Sequence, residues 1–546
     1  MVRLLGELWQ FYWSTPQVVV VLQDQHRTAI WSAHKIPVHS QLSFQRKQSS
    51  IDDHDPTSHI IPWTIAIGLG SGIVKSLLIV AYYFPPVAAS GAMRALGFCR
   101  YLEKYGWRPW VLTTAPYSVY PPHPIDQELL ARLPDNVAVE TIPYINPLHR
   151  IIAVRNRLRE LARAGMMFQN LQRQGGCSSS DPAKPQPRGR ISRLRDLFLD
   201  WAFSFPDPQC SWLRPAVGWF SKLEREKFPQ AVFATGGPWT SLLIGRTLSM
   251  RFQVPFIADY RDPWTSNPYS SFSSPFLVNK AKRLERSICT AASRVITNTD
   301  ELRLKLCADY PELRNKCLTI PNGFDRESFV PEHEAGGMSD QLRSVDSNGR
   351  NIELCHFGTI YGKRTPVTLF QAMLELYEEE QLRADQVRMR FVGAWEVTDA
   401  PTERLAQELE KHGFLRREAP VAHQACLRQM ARASALLIIQ PDSPLQIPGK
   451  IYEYIATGRP LLLIGEEGAT ARLVRQHRLG ISCPNGIADI KQLIRQLVNG
   501  QLELKSPPPE CTDRFDYRTL TSDLAKALND VWSEHSIEHS SNTARQ

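Results

Sequence analysis

The stretch PGKIYEYIATGRP at residues 448–460, followed at once by the apolar run LLLIG at 461–465, decides how this chain is interpreted. A proline and a glycine open it and Gly458 closes it, which predicts a short helix between a loop and a buried strand. Lys450 and Glu453 are three residues apart and share one helical face near the N-terminus. The positive end of a helix suits an anionic ligand, and a carboxylate one turn in can accept from a pair of sugar hydroxyls. An ordinary surface Lys–Glu pair is the alternative.

Length and composition restrict the class of protein. The 546 residues are too many for one core and fit two domains. The net charge of +9 is spread along the chain, with a local excess at 150–195, which does not favour a nucleic-acid face. Such a charge also suits anionic substrates or a membrane surface. Ten cysteines without a C-x-x-C pair indicate a reduced, cytoplasmic chain without a zinc site.

Strand and helix patterns alternate twice along the chain. The first series has predicted strands at 77–84, 109–113, 231–235, 254–258, 294–298 and 317–320, with a helix at 91–105. The second has predicted strands at 352–357, 387–392, 435–439, 460–464 and 480–483, and a helix at 517–532 follows. Strands separated by helices predict βαβ units on parallel sheets. The fold class is therefore α/β, with two doubly wound domains.

Several segments interrupt this alternation. Residues 1–73 are expected to be a disordered or non-native extension, because a polar tract without period precedes the first clean strand. The apolar stretch at 60–81 contains glycines and Lys75, so it predicts a buried strand, with a weak membrane anchor as the alternative. The domains are predicted at 76–330 and 351–505, a linker at 331–350 and a last helix at 515–535. A basic, aromatic insertion at 150–220 packs onto its own domain or contacts a membrane face.

The first of three further motifs is the turn at 85–91, which follows a strand and opens a helix. Ligands bind at this point in open α/β sheets. Gly91 lets a backbone approach a ligand, and Arg94 can reach back to a phosphate. The alternative is an ordinary turn whose arginine pairs with a carboxylate. The absence of any G-x-G-x-x-G pattern disfavours a dinucleotide oxidoreductase.

Two more motifs follow other predicted strands. Two glycines, Gly358 among them, and the cations Lys363 and Arg364 predict a diphosphate-binding loop at 356–364, with a solvated basic pair as the alternative. In the motif DYRDPW at 259–264, Asp259 and Asp262 flank an arginine between aromatic residues. This set suits a hydroxyl-bearing acceptor, although one acid can simply hold the arginine.

Together these motifs resemble those of family 4 glycosyltransferases. The matching segments are YFPP at 83–86 with Gly91 and Arg94, DYRDPW at 259–264, ITNTD at 296–300, IPNGFD at 320–325, FGT at 357–359, and 448–460. The resemblance covers about residues 77 to 532. It implies a GT-B fold: two Rossmann-like doubly wound domains that face each other across a cleft, with a C-terminal helix returning to the N-domain. It also implies a retaining, metal-independent reaction.

The resemblance implies roles for single residues. Glu453 matches the carboxylate that binds the donor ribose, and Lys450 is expected to be a second donor contact. Lys363 or Arg364 matches the diphosphate-binding cation, and Gly91 the glycine beside the phosphates. The chain departs from the family at two places: Leu445 stands eight residues before Glu453, where the family has a second acid, and Thr359 replaces an arginine of the loop. Both departures recur in a branch with a P-x-K-x-x-E-Y signature.

The leading hypothesis is a retaining hexosyltransferase that uses a UDP- or GDP-sugar. Its acceptor is expected to be a glycan or lipid-linked sugar of bacterial surface polysaccharide or glycolipid synthesis, reached in the cytoplasm or at the inner membrane face. Lys363, Arg364, Asp259 and Asp262 are the predicted catalytic residues. No metal is expected, because the sequence has no clustered Asp/His ligand set. The alternative is a non-catalytic GT-B subunit that scaffolds a partner enzyme, which Leu445 favours and Glu453 disfavours.

Overall fold

The computed structural model divides the chain into two units, Met1–Gly70 and Ser71–Gln546. It describes residues 20–24, 27–31, 74–145, 204–268, 272, 274–329, 352–362 and 364–543. In the first unit the described part is an antiparallel hairpin of β1 (Val20–Asp24) and β2 (Arg27–Trp31). The predicted linker at 331–350, most of the extension at 1–73 and most of the insertion at 150–220 lie outside the described residues.

Within the second unit, a seven-stranded parallel sheet builds what we call the N-lobe. Its order is β5-β4-β3-β6-β7-β8-β9. The strands are β3 (Lys75–Val80), β4 (Trp107–Thr113), β5 (Ala138–Thr141), β6 (Ala231–Thr235), β7 (Phe256–Tyr260), β8 (Arg294–Thr297) and β9 (Cys317–Thr319). The described helices are α1 (Ser90–Tyr101), α2 (Gln127–Ala131), α3 (Leu213–Phe220), α4 (Thr240–Phe252), α5 (Pro275–Ala291) and α6 (Asp300–Asp309). Every residue of β6 and β7 is buried, as expected where both sheet faces are covered.

A six-stranded parallel sheet builds the C-lobe, in the order β14-β12-β10-β15-β16-β17. Its strands are β10 (Ile352–Phe357), β12 (Val387–Val392), β14 (Leu415–Glu418), β15 (Ala435–Gln440), β16 (Leu461–Gly465) and β17 (Gly480–Cys483). A separate parallel pair joins β11 (Ile360–Tyr361) to β13 (Trp395–Glu396). The helices are α7 (Val367–Glu378), α8 (Ala400–Lys411), α9 (His423–Arg432), α10 (Lys450–Thr457), α11 (Ala469–Gln476) and α12 (Ile487–Val498).

The chain ends with the short helix α13 (Glu510–Arg514) and the long helix α14 (Tyr517–Thr543). Leu520, Leu524 and Leu528 of α14 are buried in the same hydrophobic cluster as Leu77 and Ile79 of the N-lobe sheet. The predicted return of the last helix to the N-domain is therefore confirmed. This helix continues past the predicted end at residue 532.

The chain passes between the lobes twice, through a first crossing that begins at residues 320–325 and a second one at 515–517. These two segments run side by side. Phe324 donates its N–H to the carbonyl of Phe515, and Tyr517 donates to the carbonyl of Phe324. A Cβ on Gly323 would overlap the Phe515 carbonyl, so this close approach requires glycine there. These hydrogen bonds hold the two segments together.

Sequence pattern located the buried strands better than the edge strands. The interior strands β6, β10 and β12 match the prediction residue for residue. The pattern missed β5 and β14, whose sequences AVET and LRRE have no apolar run. Both lie at the edge of their sheet, where a strand needs little apolar surface. The strand β7 lies two residues later than predicted, so Asp259 belongs to the strand itself.

Candidate functional site

The helix α10 places the two charged residues of the opening motif. Gly449 precedes it, and Gly458 ends it in the left-handed conformation at φ 66°. Its apolar face is buried, and the Tyr454 hydroxyl accepts a 2.7 Å hydrogen bond from the Phe357 N–H at the end of β10. The predicted helix is confirmed, and Tyr454 fixes it against the carboxyl end of the sheet.

Glu453 lies at the centre of a charged cluster. Its side chain is 16 % exposed, and its Oε1 accepts a 2.9 Å hydrogen bond from Nε2 of His423, the first residue of α9. Its Oε2 lies 2.8 Å from Nζ of Lys450. The sequence alternative of an exposed surface pair does not fit this burial. His423 stands 30 residues before Glu453, and no spacing rule signals such a pair.

The electrostatics keep Glu453 ionised. Burial by itself raises the pKa of this carboxyl, but the charge of Lys450 and the hydrogen bond from His423 outweigh it and lower the pKa to about 2. In turn burial lowers the pKa of Lys450, and the Glu453 charge reverses this to a net rise. At neutral pH the site therefore presents a buried carboxylate that can accept from ligand hydroxyls.

Two strand ends beside this cluster form a tight glycine loop. Gly358 donates its N–H to Val392 O over 2.9 Å, and a Cβ on Gly393, at φ 150°, would overlap Gly358 O. At the end of β10, His356 donates from Nδ1 to Leu437 O over 3.0 Å. Burial lowers the pKa of His356 to about 4, so the ring is neutral and its Nε2 is an acceptor.

The cations predicted for this loop are placed unequally. Lys363 lies outside the described residues. Arg364 is half-buried, and its guanidinium carbon lies 5.7 Å from the centroid of the exposed Tyr361 ring. Both residues remain predicted diphosphate contacts.

The structure gives Arg94 a role different from the predicted phosphate contact. The Arg94 side chain is 1 % exposed, and Asp259 accepts from it at both oxygens, at 2.9 and 2.7 Å. Its other hydrogen bonds go to the carbonyls of Ile320 and Pro321 and to Asn322 Oδ1. All five N–H groups are engaged, so none is left for a ligand.

The same contacts correct the prediction of Asp259 as a catalytic residue. Asp259 is completely buried against Arg94. Through this ion pair and its other hydrogen bonds, Arg94 joins α1 to β7 and to residues 320–322. The structure therefore favours the alternative in which an arginine of the turn pairs with a carboxylate. The carboxylate that pairs with Arg94 belongs to DYRDPW. Neither the turn motif nor DYRDPW, taken alone, predicts this pairing.

Asp262 lies where the two lobes meet. It is 39 % exposed, and its Oδ1 accepts a 3.2 Å hydrogen bond from Nε2 of Gln446 in the C-lobe. Leu445 immediately precedes Gln446, and its carbonyl accepts a 2.8 Å hydrogen bond from the Thr299 hydroxyl of the N-lobe. The loop that leads into α10 is therefore held by N-lobe side chains, and Asp262 contacts the segment just before Lys450 and Glu453.

Gly91, at the start of α1, packs against the arginine of the DYRDPW motif. A Cβ on Gly91 would overlap Nη1 of Arg261, the third residue of that motif. Arg261, rather than Arg94, is thus the cation beside the glycine of this turn.

The described residues include neither a group of metal ligands nor a membrane-spanning helix. No group of three or more His, Cys, Asp or Glu side chains in the described ranges could hold a metal ion. None of the helices described there is long and apolar enough to cross a membrane.

The chain resembles known proteins in its structure and not in its sequence. No protein-family model matches the chain, and no curated protein matches it. Anabaena HepE in complex with UDP-glucose is 15 % identical over 84 % of this chain and 100 % of its own, with a TM-score of 0.51. The N-terminal domain of Candida albicans trehalose-6-phosphate phosphatase is 13 % identical over 86 % and 99 %, also at 0.51. With the two parallel sheets, these matches show that the chain has the two-domain α/β GT-B fold.

Proposed function

We propose that this protein is a glycosyltransferase that moves a sugar from a nucleotide-sugar donor to a glycan or lipid-linked acceptor. The observation that carries this is the buried, ionised Glu453, held by His423 and Lys450 near the N-terminus of α10. A carboxylate fixed in this way can accept from both hydroxyls of a ribose, while the positive helix end attracts phosphate. HepE, which shares the fold, was solved with UDP-glucose, so UDP-sugars are the first donors to test.

The reaction assigns a charge role to each part of the site. The bond between the anomeric carbon and the diphosphate oxygen breaks, the carbon bonds to an acceptor oxygen, and the acceptor proton leaves with the nucleoside diphosphate. Negative charge grows on the diphosphate and positive charge on the sugar, so fixed cations and N–H dipoles lower the barrier. We assign this role to Lys363, Arg364 and the backbone at Gly358. Metal independence, retention at the anomeric carbon and a role in surface polysaccharide or glycolipid synthesis belong to the same proposal, as does work at the cytoplasmic membrane face.

Calorimetric titration with UDP and GDP tests the donor site. We expect Glu453→Ala to weaken binding of the preferred diphosphate at least about tenfold, because a ribose clamp is lost. Glu408→Gln, an exposed α8 residue paired with Lys411, is the matched control and should bind as wild type does. Wild-type affinity in Glu453→Ala would exclude the ribose role.

Turnover tests the cations. Changing Lys363 and Arg364 together to alanine should lower donor consumption strongly and leave the thermal midpoint unchanged. An undiminished rate in this double variant would remove both residues from the mechanism. The anomeric configuration of the product, followed by NMR, tests retention.

A second function is favoured by one observation. Leu445 occupies the place of the family's other acid, and its carbonyl is engaged by Thr299, so this position offers no carboxylate to a donor sugar. A non-catalytic GT-B subunit would bind a nucleotide and scaffold a partner enzyme. Release of nucleoside diphosphate from a UDP- or GDP-sugar by the purified protein would exclude this alternative, and binding without release would support it.

A further inference from the structure

The Arg261 side chain occupies a narrow space between two glycine backbones. A Cβ on Gly91 would overlap its Nη1 and lie 3.0 Å from its Cζ. A Cβ on Gly237, at φ 80°, would lie 2.9 Å from its Nη2. Any larger residue at Gly91 would therefore displace the guanidinium. The two glycines place a charged side chain at the N-terminus of α1, at the carboxyl edge of the N-lobe sheet.

Arg261 is poorly satisfied in this position. Its Nη2 donates to Gly237 O over 3.1 Å and lies 3.5 Å from Asp262 Oδ2, while its Nε is buried without a hydrogen-bond partner among the residues that the structure describes. The buried Arg94, by contrast, uses all its N–H groups. Only 12 % of the Arg261 side chain is exposed, and a buried guanidinium with unpaired donors costs free energy that an anion would offset.

The surroundings indicate which anion fits. The first turn of α1 contains no acidic residue, and no side chain caps its N-terminus, so its positive end is not neutralised from within the helix. Asp262, whose Oδ2 lies 3.5 Å from Arg261, accepts a hydrogen bond from Gln446 of the C-lobe at its other oxygen. A planar guanidinium beside a helix N-terminus matches the oxygens of a phosphate group.

We propose that Arg261, together with the N-terminus of α1, binds a phosphate group between the lobes. This inference rests on the proposed function, because that function supplies a phosphate from either of two substrates: the donor diphosphate or a phosphorylated, lipid-linked acceptor. Arg261 is then a substrate-binding residue of the N-lobe, and Gly91 is required because it leaves room for the guanidinium.

Calorimetry with three probes tests the proposal and separates the two sources. We expect Arg261→Gln to follow one of two patterns. If the donor phosphate is bound, UDP binds at least about tenfold more weakly while uridine affinity is unchanged. If the acceptor phosphate is bound, UDP affinity is unchanged but inorganic phosphate no longer binds to the UDP-saturated protein. GDP and guanosine replace the uridine probes if wild type prefers GDP.

Controls keep the outcomes distinct. Arg286→Gln, an exposed arginine of α5 paired with Glu312, should behave as wild type with all three probes. If Arg261→Gln changes neither UDP nor inorganic phosphate affinity, the proposal is overturned. If wild type binds no nucleoside diphosphate, the proposed function fails, and inorganic phosphate titrated into wild type and Arg261→Gln still tests this residue.

A double-mutant cycle tests the steric part. Gly91→Ala should weaken phosphate binding in the wild-type background, because the new methyl group displaces the guanidinium. In an Arg261→Ala background the same change should have little further effect. Thermal midpoints of the variants show whether each one is folded. Fully additive losses in folded variants would show that Gly91 does not act through Arg261.

Discussion

Removing the Arg94 charge distinguishes a structural arginine from a ligand contact. Arg94→Met keeps most of the side-chain volume but leaves Asp259, completely buried, without its cation. It also removes the donors to Ile320 O, Pro321 O and Asn322 Oδ1. Breaking a buried ion pair at one partner costs about 3–5 kcal/mol, because an uncompensated charge remains in the interior.

That free energy is large enough to measure. For a domain of about 150–250 residues, a loss of about 3–5 kcal/mol lowers the thermal midpoint by roughly 6–20 °C. Asp259→Leu should cost a similar amount, since Arg94 then keeps only neutral partners. The double variant Arg94→Met with Asp259→Leu should lose less than the sum of the single changes, because neither charge is left alone.

Scanning calorimetry and urea unfolding of the four proteins provide the assay, with UDP titration of each folded variant beside them. We expect the stability losses to dominate, with nucleotide affinity close to that of wild type where the protein is folded. The reasoning is refuted if Arg94→Met melts at the wild-type temperature and loses nucleotide affinity, since that result would make Arg94 a ligand contact.

Three further predictions concern the C-lobe. Because the pKa of Glu453 is lowered from 4.5 to about 2, its charge stabilises the fold fully above pH 4.5, and this contribution disappears as the pH falls toward 2. The difference in unfolding free energy between wild type and Glu453→Gln should therefore be constant above about pH 5 and shrink below it. Tyr454→Phe leaves the buried Phe357 N–H unpaired and should cost about 1–3 kcal/mol in urea unfolding, and an unchanged midpoint would contradict the contact. Gly393→Ala should strongly reduce the yield of folded protein, measured by circular dichroism, because the methyl group would overlap Gly358 O at a φ of 150°; wild-type yield and melting would refute this.

The alternation of strands and helices was predictable because it depends on local properties. A strand buried on both faces must be a mostly apolar run, as in β6, β15 and β16, and a helix end needs a cap such as Gly458. The edge strands β5 and β14 were not predicted, because a strand at an exposed edge does not need an apolar sequence. The return of α14 to the N-lobe was expected only from the resemblance of the motifs to a known family, and the order of the strands was not predicted.

Side-chain partners were not predictable in the same way. The sequence by itself determined that this is an α/β chain with two doubly wound halves, and that α10 presents Glu453 and Lys450 on one face. Only the tertiary structure decided that Arg94 forms an ion pair with Asp259. It alone also decided that Arg261 lies beside Gly91 and that His423 donates a hydrogen bond to Glu453. The physical reason is that a helix or strand is specified by neighbours along the chain, whereas an ion pair depends on distances of a few ångströms between residues far apart in sequence.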